Sequence, residues 1–231
     1  MAPPDSLSTF EKRKLTRLRR ELLKWADQQG RTFPWRRTGA TVYEKIVVEV
    51  LLQRTTATAV ARFHEPFFTS FPSWTELANA KAEDLESFLR PLGLWRRRAA
   101  SLLGLARYAV SVGGNFPPAS AEHAAIPAVG QYVSNAIMMF QHGKPRPLLD
   151  VNMARVIERY VRPRKLADIR YDPWLQAAAH WFARDARAED ANWAILDFAA
   201  LICRARQPRC GTCPVQSTCS FARDARPKPG T

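Results

Sequence analysis

Apolar residues return every third or fourth position along almost the whole chain, and nowhere do they alternate with polar ones over the length of a strand. Phe10, Leu15, Leu18, Leu22 and Trp25 form the first stripe, in a basic stretch that Gly30 ends. Thr41 followed by Glu44 is a capping-box pattern opening the apolar run 46–52, and that helix is expected to continue to about Phe63. Ser73 with Glu76 is a second box. Residues 81–89 and 96–112 are further amphipathic helices, the latter closed by Gly113-Gly114. Ser120 can cap a short helix reaching Ile126. A tight turn over Pro127-Ala128-Val129-Gly130 then leads into a helix over 131–142. Asp150 caps 151–161, Asp172-Pro173 opens a helix to about Arg184, and Asp190 opens one to Ile202. Residues 221–231, rich in Arg and Pro, read as a disordered tail or a loose phosphate contact. The expected class is all-α.

Composition changes that picture in one respect. With 231 residues, 46% hydrophobic and 10% aromatic, the chain can bury a sizeable core, and general disorder is excluded. No apolar run reaches the length of a membrane span, since Glu49 interrupts even the strongest. The first ten residues have no apolar secretory core, so a cytoplasmic protein is expected, nucleoid-associated if prokaryotic. The charge is informative: 35 Lys and Arg face 21 Asp and Glu, a formal net charge of +14. Such an excess points to a polyanion, with nucleic acid ahead of an acidic protein or an anionic membrane surface.

The cysteines are few and crowded. Cys203, Cys210, Cys213 and Cys219 lie in one window, spaced C-x6-C-x2-C-x5-C. Four thiolates so placed can hold zinc or a 4Fe-4S cluster, and the single short pair favours the cluster over a zinc ribbon. Glu49 sits inside Ile-Val-Val-Glu-Val-Leu-Leu and shares a polar face with Gln53 and Thr56. A carboxylate there is either a core residue paired with an arginine or an acid lining a cleft. Asp150 is either an ordinary helix cap or a carboxylate held ionised by the helix dipole for chemistry. Backbone N–H groups at the 126–137 hairpin can grip phosphate without regard to base sequence. Arg96-Arg97-Arg98 reads first as a solvated basic face, and the four histidines show no ligand spacing.

Together these residues resemble the helix-hairpin-helix DNA glycosylase superfamily, in its iron–sulfur, endonuclease III-like branch, from about Phe33 to Cys219. Phe33-Pro34-Trp35-Arg36 and Glu49-Val-Leu-Leu-Gln53-Arg54-Thr55 resemble motifs of the adenine (MutY) and thymine mismatch glycosylases. Leu92-Gly93-Leu94 is similar to the loop that enters the duplex, and Pro127-Ala-Val-Gly130 to the hairpin. Leu149-Asp150-Val-Asn152 is similar to the catalytic aspartate motif. The second residue after the hairpin glycine is Tyr132, as in the thymine/uracil mismatch enzymes, where bifunctional members carry lysine and familiar adenine glycosylases serine. Ala128 stands where the hairpin has its first glycine, and Val151 where small residues or Thr are common.

The resemblance implies a two-lobed fold. A six-helix lobe over 39–146 carries the hairpin. The N-terminal helix, 1–38, packs with a cluster lobe, 147–220, followed by a tail over 221–231, and the catalytic cleft lies between the lobes. It further implies a monofunctional DNA glycosylase that flips and excises thymine or uracil mispaired with guanine. The partner would be double-stranded DNA bearing a mispaired or damaged base, met by a monomer away from any membrane. Asp150, Glu49 and Tyr132 would be catalytic, and Gln53, Arg54, Leu94, Val129, Gly130 and Asn152 would contact DNA. The four cysteines would hold a 4Fe-4S cluster. Because the sequence ends soon after Cys219, the C-terminal domain with which adenine glycosylases read 8-oxoguanine is not expected. The competing readings are an adenine glycosylase acting on A·G or A·8-oxoguanine, and a non-catalytic iron–sulfur DNA-binding protein.

Overall fold

The computed structural model of the chain describes residues 7–224, which contain helices and turns and no strand. They divide into two units, one joining the residues up to Arg31 with those from Pro145 onward, the other spanning Thr32–Lys144. None of the described helices is long and apolar enough to cross a membrane.

Helix α1 (Thr9–Gln29) starts at a capping box that the apolar pattern does not announce. Ser8 Oγ accepts the Glu11 N–H at 3.2 Å, and the Glu11 carboxylate accepts the Ser8 N–H at 2.8 Å. Leu15, Leu18, Leu22 and Trp25 are buried as expected, but Phe10 is 68% exposed, so the inward stripe begins one turn later. Gly30 ends the helix by turning extended (ψ 153°); its N–H still reaches the Ala26 carbonyl at 2.9 Å, and a Cβ there would meet that oxygen at 2.6 Å.

The second unit begins with α2 (Val42–Leu52), capped reciprocally by Thr41 and Glu44 as predicted. The expected continuation to Phe63 does not occur. Gln53 caps the helix, Arg54 turns left-handed at φ +58°, and Thr56 accepts the Ala59 N–H to start α3 (Ala57–Ser70). Glu49, Gln53 and Thr56 therefore do not share one helical face; two of the three are caps. Next come α4 (Trp74–Asn79), α5 (Ala82–Leu89) and α6 (Trp95–Ser111). Ser73 caps α4 through Thr75 N–H and donates its hydroxyl to Glu76, a partial box. Residues 120–125 coil into a tighter 3-10 stretch, and α7 (Gln131–Phe140) follows the hairpin turn. Ile46, Leu51, Phe67, Leu85, Leu102 and Ile137 form the centre of this unit's core. Gly104 of α6 lets the hairpin settle, since a Cβ there would lie 2.9 Å from Pro127 Cβ.

The chain then returns to the first unit with α8 (Val151–Tyr160), α9 (Pro173–Phe182), α10 (Ala188–Leu201) and α11 (Ser220–Asp224). Asp172 caps α9 as expected, accepting Leu175 N–H at 2.7 Å. Asp190 does not start α10 but sits in its first turn, where its charge suits the helix dipole. Leu18, Ile157, Tyr160, Phe182 and Phe198 pack at the unit's centre. The expected tail is corrected at its start: residues 221–224 are helical with Ala222 buried, whereas 225–231 lie outside the described residues.

Candidate functional site

Within the second unit, α2 packs against α7 and brings Glu49 to Tyr132 across 83 residues of sequence. Glu49 is 2% exposed, and the Tyr132 hydroxyl donates to its Oε2 at 2.6 Å. The phenol answers, at least in part, the question of what accompanies a carboxylate in so apolar a helix. Tyr132 stands in the first turn of α7 and is half-buried.

The turn before α7 is tight despite its alanine. Val129 N–H reaches the Ile126 carbonyl at 3.2 Å, and Ala128 adopts φ +63°, the left-handed region a glycine would enter without cost. Gly130 is exposed, extended and gives α7 no side-chain cap, and a Cβ added to it would meet nothing within 4 Å. A phosphate could therefore approach the α7 N-terminus closely. His123 braces the hairpin. Its Nε2 donates to the Pro117 carbonyl and its Nδ1 shares a hydrogen bond with Ser134 Oγ, both at 2.8 Å.

Two further expected DNA contacts also sit on strained backbone. Arg54 (φ +58°) and Leu94 (φ +52°), like Ala128, are non-glycine residues in the left-handed region. Such residues cost about 1–3 kcal/mol each and persist where the surrounding structure over-determines them. Gln53 and Arg54 are exposed, and Leu94 is 51% exposed although large and apolar. Val129, by contrast, is buried, with its N–H bonded back into the turn.

In the first unit, Asp150 is the N-cap of α8. Its Oδ1 accepts the N–H groups of Asn152 (2.9 Å) and Met153 (2.8 Å), while Oδ2 accepts the Asn152 side-chain amide at 2.6 Å. Burial pushes the carboxyl above the usual aspartate range, opposed by those hydrogen bonds and by the charge of Arg155. The cap is thus seen directly, whereas burial outweighs the stabilisation of the ionised form that the helix start was expected to give. Asn152 uses both ends of its amide, since its Oδ1 accepts Arg155 Nη1 at 3.0 Å. Arg155 goes on to donate to the Cys203 and Ala199 carbonyls, each at 3.0 Å. A continuous chain of hydrogen bonds thus joins Asp150 to the first cysteine. Arg155 is invisible to sequence reasoning, because its spacing from Asp150 is ordinary helix periodicity. Val151 is 66% exposed beside Asp150.

The four cysteines are half-buried free thiols around one small cavity of about 30 Å³, with Tyr160, Phe198, Val215 and Phe221 in its wall. Arg159 Nη1 lies 3.6 Å from Cys203 Sγ. Burial, with the neighbouring cysteines adding to it, pushes the Cys213 thiol up to about 11 and raises Cys219. Among the described residues, no three His, Cys, Asp or Glu side chains converge closely enough to hold a single metal ion.

Known proteins resemble this chain over most of its length. Residues 47–169 match the HhH-GPD superfamily base excision DNA repair protein. The chain is 33% identical over 217 residues to a thymine-DNA glycosylase of Aeropyrum pernix, covering 92% of this chain and 97% of that one. It is 32% identical to a thymine/uracil-DNA glycosylase of Pyrobaculum aerophilum, over 89% and 92% of the two chains. Its fold superposes on the structure of a thermostable thymine-DNA glycosylase with a TM-score of 0.81 and 28% identity, over 92% and 98% of the chains. The chain belongs to the HhH-GPD superfamily of base excision DNA repair proteins, as a DNA N-glycosylase whose partner is DNA.

Proposed function

We propose that this DNA glycosylase is monofunctional and excises thymine or uracil mispaired with guanine. The carrying observation is the Tyr132–Glu49 hydrogen bond: a phenol, not an amine, is joined to the buried acid. The names of the similar thymine and thymine/uracil glycosylases support the same substrate class. A mispaired base is cheaper to extrude than a paired one, which supplies part of the selectivity. Gln53 and Leu94 enter the vacated space, with Arg54 and the Val129–Gly130 backbone on neighbouring phosphates. Tyr132 and Glu49 hydrogen-bond the extruded base.

The N-glycosidic bond then breaks with its electron pair leaving on the base. Asp150 stabilises the cationic sugar and orients the water that adds to C1′ with loss of a proton, leaving an abasic strand. Asn152, its amide engaged at both ends, holds that carboxylate in place. A phenol cannot form an imine at C1′, so the strand is not cut.

The cysteines fit a 4Fe-4S cluster by donor chemistry. Four thiols lining one cavity supply the donor set, and their spacing, with a single C-x2-C pair, favours a cluster over a zinc ribbon. When bound, the cluster supplies a structural cross-link for a loop carrying Arg204, Arg206 and Arg209 toward phosphates.

The test is a panel of duplexes bearing T·G, U·G, A·G and A·8-oxoguanine. Thymine and uracil should be released, from strands that break only after alkali or heat, and borohydride should trap no protein–DNA adduct. Preferential release of adenine would overturn the substrate, and efficient trapping would overturn the absence of strand cleavage.

A further inference from the structure

Arg98 belongs to a run of three arginines that reads as a solvated basic face, yet it is 5% exposed. Its neighbour Arg96 is the kind of residue that pattern predicts, lying over the Trp95 ring at 4.4 Å. Arg98 instead turns inward and is met by backbone and a hydroxyl. Nη1 donates to the carbonyls of Val50 (3.2 Å) and Leu51 (2.7 Å). Nη2 donates to the Gln53 carbonyl at 3.2 Å and to Thr55 Oγ1 at 2.7 Å. Nε donates to the Gly93 carbonyl at 3.4 Å. The five N–H groups of one guanidinium are thereby matched by five acceptors.

Four of those acceptors belong to the C-terminus of α2 and the turn after it, where helix carbonyls carry partial negative charge; the Val50 carbonyl also takes the Gln53 N–H, at 3.4 Å. The fifth belongs to the turn before α6. Each turn holds a non-glycine residue in the left-handed region, Arg54 in one and Leu94 in the other. Burial lowers the affinity of Arg98 for its proton, as expected of a cation paid in dipoles alone. Such a planar fork fixes relative position in a way that a flexible ammonium with three donors does not.

We infer that Arg98 is a positioning residue that locks the Gln53 turn to the Leu94 turn, so that both side chains meet the duplex as one preset wedge. The inference rests on the reading that Gln53 and Leu94 enter the base stack. Arg98 itself touches neither base nor sugar. Its effect is confined to the extrusion step, where the geometry of the wedge matters, and is absent once the base is already unpaired.

The experiment compares wild type, Arg98→Lys and the milder Thr55→Val on two substrates. One is the mispair that wild type cleaves best in the panel above. The other holds the same base in an unpaired bubble. Extrusion is read separately by the fluorescence of 2-aminopurine beside the mispair, in an Asp150→Asn background that does not release the base. Arg98→Lys should lower single-turnover excision from the mispair by about tenfold or more, with a matching loss of fluorescence change. Excision from the bubble and affinity for undamaged duplex should stay within about threefold. Thr55→Val should show the same selective pattern at smaller size, and serves if Arg98→Lys does not fold. Equal losses on both substrates would make Arg98 a purely structural cap and overturn the inference, as would an unchanged mispair rate. Should wild type release another base, the substrate reading fails while the same comparison, run on that base, still decides the role of Arg98.

Discussion

Asp150→Asn should lower single-turnover base release at least about a thousandfold, a loss of about 4 kcal/mol of transition-state stabilisation, while DNA binding persists. The charge is needed only when the sugar becomes cationic, so ground-state affinity has no reason to change. Stability separates this outcome from loss of a cap. Asn caps helices as well as Asp does, so the bonds from Asn152 and Met153 N–H survive, while the Asn152 amide must turn away from its new neighbour. Burial raises the Asp150 carboxyl, meaning that the folded state binds its proton more tightly than the unfolded state. The contribution of this group to stability therefore falls as pH rises from the ordinary aspartate range through the folded value. At neutral pH the ionised carboxylate is a cost that Asn does not carry, and the melting temperature should stay within about 3 °C. Asp150→Ala, which removes the cap, should instead cost about 1 kcal/mol. The same raised carboxyl sets the acid limb of the wild-type rate: base release should fall as pH drops through a midpoint above the usual aspartate range, and the Asn variant should lack that limb. Near-normal release by Asp150→Asn would reduce Asp150 to a helix cap.

What the sequence discloses of this site follows the range of the interactions involved. Thr41 with Glu44, and Asp172 before Pro173, are local devices, and the structure places both where the pattern does. Ser8 with Glu11 is equally local, but Phe10 beside it is exposed and the buried stripe of the helix starts only at Leu15, so a search anchored on the helical apolar spacing passes over it. The break after Leu52 is different in kind. No Gly or Pro stands between residues 52 and 57, and the apolar pattern runs on. The helix stops because a guanidinium from α6 takes the last carbonyls of α2 and Thr56 begins α3. That partner lies more than forty residues away and in a run of like charges, where periodicity predicts solvent. The Glu49–Tyr132 bond is likewise long-range, and each residue could be singled out by motif without their contact being foreseen. Cys203 and Asp150 are both conspicuous in the sequence, but the Asn152–Arg155 bridge between them exists only in the packed unit.

The cysteine site carries the second large expectation. The purified protein should be yellow-brown with absorbance near about 400 nm, as thiolate-bound iron–sulfur clusters are. Four half-buried thiols around one cavity are a poor structure on their own account. Burial and the neighbouring cysteines hold Cys213 up to about 11 and raise Cys219, so these two thiols resist ionisation until a cation compensates them. Metal bound to such a set adds its binding free energy to folding. Cys213→Ser should therefore abolish the absorbance and lower the melting temperature by about 10 °C or more, a far larger effect than an isosteric change elsewhere on a half-buried surface. The loss should also reach the chemistry. Arg155 is anchored on the Cys203 carbonyl and Asn152 is anchored on Arg155, so a loosened loop frees the carboxylate that Asn152 holds. Base release by Cys213→Ser should then be slowed well below its melting temperature, beyond what its folded fraction explains. Colourless wild-type protein with one zinc per chain would overturn the cluster, and a Ser variant with unchanged absorbance and melting would remove Cys213 from its ligands.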